Sequence, residues 1–176
     1  MSHPLHVPVH HFGYVVDDLE TAIPEFVSRF GAGPFFRIDH VPLEGVTARG
    51  EPAAYDHSSA FGACGDVYFE VMELHEVAPA PTREVFTIPA PGLHHVAYLV
   101  PSVDEGVATL EAAAVPEILS ASLGDITFAY LDSRSTSGHH VELLADVPAF
   151  HEFFATIGGA AKDWDGKTDP LRPMFG

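Results

Sequence analysis

Apolar and polar positions along the chain follow a strand rhythm and a helix rhythm in turn, and the whole pattern runs twice. "HHFGYVV" at 10–16 and "HHVAYLV" at 94–100 each have the make-up of a buried strand that opens on two histidines. Superposing His10 on His94, an offset of 84, also pairs Tyr14 with Tyr98 and Val16 with Val100. Behind each strand come a polar turn and an amphipathic stretch. In the first copy Leu19, Ala22, Ile23, Phe26, Val27 and Phe30 recur at helical spacing, with Asp17 or Asp18 as the N-cap. Pro24 falls early in that helix, where a missing N–H costs least. In the second copy Ser102 caps "VDEGVATLEAAA". Three strand-like segments follow each helix: "PFFRIDHV", "AAYDHSSAFGA" and "DVYFEVMEL" in the first, "PEILSAS", "DITFAYLD" and "HHVELLAD" in the second. "GACGD" and "SRSTSG" carry the turn residues expected of hairpins.

Each copy is thus predicted to be a βαβββ unit, giving an α+β fold of two tandem modules in one domain. The first module spans 8–74 and the second 92–145, joined over 75–91 by a Pro-rich, aperiodic linker. Residues 146–176 supply a further helix, "VPAFHEFFATIGGAA", and an irregular tail. Trp164 and Phe175 suggest that this tail packs onto the body or onto a partner subunit of a homodimer.

Charge narrows the partners. Eight Lys and Arg face 25 Asp and Glu, a formal net charge of −17, and no basic patch interrupts it. Such a field repels nucleic acid and anionic membrane surfaces. No apolar run reaches the ~18–20 residues of a membrane span, and "MSHPLHVPVHH" lacks the basic and apolar regions of a signal peptide, so a cytoplasmic protein is expected. Cys64 is the sole cysteine, which leaves neither an internal disulfide nor a thiolate metal cluster. Histidine, by contrast, is abundant: twelve are scattered along the chain.

Strand parity sorts the paired histidines. Neighbouring side chains on a strand face opposite ways. His11, Gly13 and Val15 share one face of the first strand, as His95, Ala97 and Leu99 do in the second copy. The small residues beside His11 and His95 leave room for an approaching group. The bulkier rows place His10 and His94 against each copy's own helix layer or at a strand end. On that reading His94→Ala should keep whatever His95 binds. The last strand of each copy carries an acid among apolar residues, Glu70 in "YFEVMEL" and Glu142 in "HHVELLA". A carboxylate so placed costs several kcal/mol to desolvate unless it is paired or binds a cation. His11, Glu70, His95 and Glu142 therefore form a two-His, two-Glu set suited to one divalent ion such as Zn²⁺, Fe²⁺, Co²⁺, Ni²⁺ or Mn²⁺.

"HHFGYVVDDLETAI", "GAGPFF", "GDVYFEVMEL", "GLHHVAYLV" and "GHHVELL" resemble the vicinal oxygen chelate superfamily over roughly residues 8–145. That superfamily includes glyoxalase I, methylmalonyl-CoA epimerase, extradiol dioxygenases and fosfomycin- or bleomycin-resistance proteins. The resemblance implies a cup of strands around one divalent metal, with His11, Glu70, His95 and Glu142 as ligands. It also implies an isomerase, epimerase or lyase acting on a small carbonyl or vicinal-oxygen substrate through an enolate. Glu70 and Glu142 would serve as ligand and base, and His140, on the face of Glu142, as a further acid or base. His57 is a weaker candidate. Extradiol dioxygenation, and small-molecule sequestration without turnover, are the alternatives. Scarce Lys and Arg offer little to hold the phosphates of a coenzyme A ester.

Overall fold

The computed structural model describes residues 5–174. Phe175 lies outside that range. The first module runs β1 (Val9–Val16), α1 (Leu19–Phe30), β2 (Phe35–Ile38), β5 (Ala54–Cys64) and β6 (Val67–Ala78). The second runs β7 (Gly92–Val100), α3 (Val103–Ala112), β8 (Glu117–Leu123), β9 (Ile126–Leu131) and β10 (His140–Ala145). Both are the expected βαβββ order. Asp18 caps α1 by accepting from the Thr21 N–H at 2.8 Å, and the Ser102 hydroxyl accepts from Glu105 N–H at 3.3 Å. Pro24 sits past the first turn of α1, so it removes an interior helix bond rather than an unused N–H.

With β3 (Glu44–Ala48), β4 (Glu51–Pro52) and β11 (Leu171–Pro173), the eleven strands among the described residues form one curled sheet in the order β11-β2-β5-β6-β1-β7-β10-β9-β8-β3-β4. The modules meet where β1 and β7 pair antiparallel, and each of these strands pairs in parallel with the last strand of its own module. Helix α1 packs outside the first module through Leu19, Ile23 and Phe26 against Phe35 and Val71. On the second module Leu110 of α3 meets Leu131 and Leu143. The third apolar cluster fills the concave side.

Several elements depart from the expectation. A hairpin of β3 (Glu44–Ala48) and β4 (Glu51–Pro52) interrupts the first module, and β3 adds itself to β8 of the second. The linker stretch 75–91 holds the end of β6 and a helix, α2 (Ala80–Phe86), whose Phe86 is fully buried. The pattern there is too short and proline-rich to show a period; burial of Phe86 decides the helix. "SRSTSG" folds as the one-turn helix α4 (Arg134–Ser137) closed by left-handed Gly138, rather than as a tight hairpin. Helix α5 (Pro148–Lys162) lies over the concave side, burying Phe150, Phe154 and Ile157. The tail packs on the body: β11 (Leu171–Pro173) pairs with β2, and the Trp164 ring lies against Gly33.

Candidate metal centre

Four donors converge at the module junction. Because β1 pairs with both β6 and β7, Gly13 stands between Glu70 on one side and His95 on the other. On the second module Ala97 stands between His11 and Glu142 in the same way. His11 Nε2 lies 3.5 Å from Glu70 Oε2 and 3.4 Å from Glu142 Oε2, while His95 Nε2 lies 3.3 Å from each. The structure therefore brings together all four residues singled out from the repeat, with their donor atoms within 4.8 Å of one another.

Gly13 and Ala97 are small for a steric reason. A Cβ on Gly13 would meet His95 Cε1 at 1.9 Å, so the imidazole occupies the space that any side chain would need. Ala97, fully buried opposite His11, is its counterpart.

The paired histidines are sorted by bulges, not by parity. Opposite β7, one residue too many separates Val9 from His11; opposite β1, one too many separates Leu93 from His95. The extra residues are His10 and His94. A bulge turns its residue out of the alternation, and each of these histidines comes to lie on the concave side with the one that follows it. His94 packs on Phe86, Tyr130 and His140 rather than on the α3 layer. His10 packs on Tyr68, Phe150 and Phe154. Of the two placements expected for these histidines, against their own module's helix layer or at a strand end, the helix layer is thus corrected, since parity holds only while the ladder is unbroken.

The bulges also make a relay of nitrogens. His94 Nδ1 is 3.1 Å from His95 Nδ1, and His10 Nδ1 is 3.0 Å from His11 Nδ1. His94 Nε2 lies 3.0 Å from the Phe86 carbonyl, which can only accept, so this nitrogen carries the proton. Its Nδ1 then accepts from His95 Nδ1–H, which leaves His95 Nε2 facing the carboxylates, protonated in the metal-free protein and free to offer its lone pair once an ion displaces that proton. The same carbonyl accepts from His140 Nε2 at 3.0 Å. His140, expected beside Glu142 as an acid or base, has its Nε2–H committed to that bond behind the cluster. Ser59, which the sequence reading did not single out, donates to Glu70 Oε1 at 2.6 Å. No comparable hydroxyl bonds to Glu142 among the described residues. A serine in an apolar strand two residues from His57 was the only signal.

Electrostatics match this arrangement. Burial pushes His95 down, but Glu142 and Glu70 outweigh it and hold the imidazole up at about 9. His11 is raised by the same two carboxylates against its burial. Glu142 is held down at about 2 by the two histidines, against a burial that would raise it, and Glu70 also lies well below the ordinary range. Burial leaves His57 and His140 each at about 4, and His94 well below its ordinary value, so these rings are neutral.

Yet His11 Nε2, His95 Nε2 and Glu142 Oε2 are buried without hydrogen-bond partners. Orphaned buried donors of this kind are costly, and donors ~2.1 Å from a shared ion stand about 3–3.5 Å apart, which the four His–Glu separations reproduce. The residues present fit a divalent ion.

A cavity of about 190 Å³ opens above the cluster, with His11, Glu70 and Glu142 in its wall together with His57. No helix among the described residues is long and apolar enough to cross a membrane.

The fold and donor set define a class: paired βαβββ modules forming a cup over a buried His/Glu cluster that could hold a metal ion. Residues 10–130 match the family described as the Glyoxalase/Bleomycin resistance protein/Dioxygenase superfamily, and the chain belongs to it. Among solved structures, it is similar to methylmalonyl-CoA epimerase from Mycobacterium tuberculosis, at 16% identity and a TM-score of 0.54, over 86% of this chain and 97% of that one. It is also similar to a hypothetical protein from Bacillus halodurans C-125, at 19% identity and a TM-score of 0.53, over 81% and 96% of the two chains. Likeness at these identities establishes the fold. None of the curated proteins compared matches the chain in sequence.

Proposed function

We propose that the protein is a divalent-metal enzyme of isomerase, epimerase or lyase type, moving a proton α to a carbonyl in a small organic substrate. The observation that carries this reading is the convergence of four buried donors at the foot of a cavity, His11 and His95 Nε2 with Glu70 and Glu142 Oε2, of which all but the Glu70 oxygen lack a hydrogen-bond partner. A Zn²⁺, Fe²⁺, Co²⁺, Ni²⁺ or Mn²⁺ ion held by these four would polarise the carbonyl and lower the cost of the enolate. The chain's own part is to align the substrate and to take the proton. Glu142 is the better base of the two acids, because Ser59 ties down the second oxygen of Glu70 and nothing equivalent restrains Glu142. His140 is assigned to positioning, through the Phe86 carbonyl that it shares with His94.

Elemental analysis of the purified protein, followed by exchange of solvent deuterium into α-acidic carbonyl compounds, tests the reading. One metal per chain and exchange that Glu142→Gln abolishes are expected. Absence of metal, with metal affinity unaltered in Glu70→Ala and Glu142→Ala, would overturn it. Metal without exchange in any compound would assign the protein to sequestration instead.

A further inference from the structure

The cavity has a lopsided chemistry. Its metal-side end is ionic, and most of the rest of its wall is apolar, built from Val41 and Leu43 just before the β3 hairpin, Ile126 and Phe128 on β9, and Phe150 and Phe153 on α5. No lysine or arginine among the described residues lines it. Arg37, next in sequence to the wall residue Ile38, is engaged by Glu20 at 2.8 Å and by Asp39. Arg29 and Arg134 are paired with Glu25 and Asp132. A chain of net charge −17 therefore places no free cation on this wall to receive phosphate groups.

Two polar side chains outside the donor set, His57 and Tyr130, also line the cavity, and of these only His57 has a buried polar atom without a partner among the described residues. His57 is 4% exposed and lines the cavity, and its ring stacks on Tyr55 with centroids 4.3 Å apart. Its Nδ1 is buried without a hydrogen-bond partner among the described residues. A buried imidazole held in place by stacking, yet left unsatisfied, is a group whose partner arrives with the ligand.

We propose that the substrate is a compact, uncharged compound with an apolar body and vicinal oxygens, not a coenzyme A thioester, and that His57 is its specificity-determining contact. The oxygens face the His11–Glu70–His95–Glu142 end; the hydrocarbon fills the wall under α5; His57 makes one hydrogen bond to a substrate oxygen. This inference rests on the metal-centre reading only for the direction in which the oxygens point.

Calorimetric titration of the full chain with 1-phenyl-1,2-propanedione and with propionyl-CoA tests it, on zinc-loaded and metal-free protein whose zinc content is measured alongside. The dione is expected to bind at least tenfold more tightly than the thioester. His57→Phe, which keeps the stack on Tyr55, should weaken dione binding about tenfold with zinc content unchanged, and His57→Asn should restore most of it. Tighter binding of propionyl-CoA overturns the substrate class. Equal dione affinity in wild type and both variants overturns the role of His57, and wild-type preference decides the class even if His57→Phe does not fold. Protein that takes no zinc but still prefers the dione in a His57-dependent way sinks the metal reading and leaves this one standing. Protein that loads zinc but prefers the thioester does the reverse.

Discussion

The imidazole of His95 occupies the volume that a side chain on Gly13 would fill, on the neighbouring strand of the other module. One module thus supplies the ligand and the other supplies the gap that seats it. Gly13→Ala should force His95 out of the cluster. Metal affinity is expected to fall at least 100-fold, and overpacking should lower stability by about 1–3 kcal/mol. Zinc titration and thermal melts of the variant check both; a variant that binds zinc as well as wild type would contradict this geometry.

His94 fixes the tautomer of His95 from the Phe86 carbonyl. Partners that orient a metal-binding imidazole are worth about 10–100-fold in metal affinity. His94→Phe should lose that factor while leaving the stoichiometry at one, as read by competition with a chromophoric chelator. Full affinity in the variant would show that His95 needs no such partner.

Acidity links the cluster to stability with a definite sign. In metal-free protein His95 is raised from 6.5 to about 9, so its contribution is complete below 6.5 and is lost as pH climbs through about 9. Glu142 is lowered from 4.5 to about 2, so its contribution is present above 4.5 and is lost as pH falls through about 2. Metal-free protein should therefore melt at progressively lower temperature from about pH 6.5 to 9. Metal-loaded protein should gain over it across the same window, because binding must expel protons from His95 and His11. Melting curves of both forms at several pH values, with proton release followed in weak buffer, check this. A constant gap between the two forms would refute it.

Ser59 is a cheaper place to perturb the same centre. Ser59→Ala removes the 2.6 Å bond to Glu70 Oε1 and strands a buried acceptor. The expected loss is about 1–3 kcal/mol of stability, measurable by urea unfolding, with metal stoichiometry retained. An unchanged midpoint would mean that Glu70 finds another donor.

The four clustered residues were legible because each is odd in its strand and the repeat places the oddities in register. His11 and Glu70 are 59 positions apart and share no local motif, yet their counterparts His95 and Glu142 recur in the second copy. The roles of His10 and His94 were illegible for the opposite reason. A bulge is a property of two strands paired, and no single strand's alternation announces it. The same holds for Ser59, whose partner lies on the adjacent strand, and for α2, whose one turn of consequence is set by where Phe86 must be buried. His140 shares Glu142's face as parity requires, but what it bonds to is the end of a helix hidden in a proline-rich stretch.

The β3–β4 hairpin leaves the first module and pairs with β8 of the second, with Thr47 Oγ1 3.0 Å from Ser120 Oγ. Although the βαβββ order occurs twice along the chain, the two halves are joined by more than the β1–β7 seam. Cutting between them would leave the second half with a bare sheet edge and the first with an arm reaching for nothing. The hairpin is a strap: it carries a piece of the first module onto the edge of the second, so the two halves share one sheet edge as well as the β1–β7 seam.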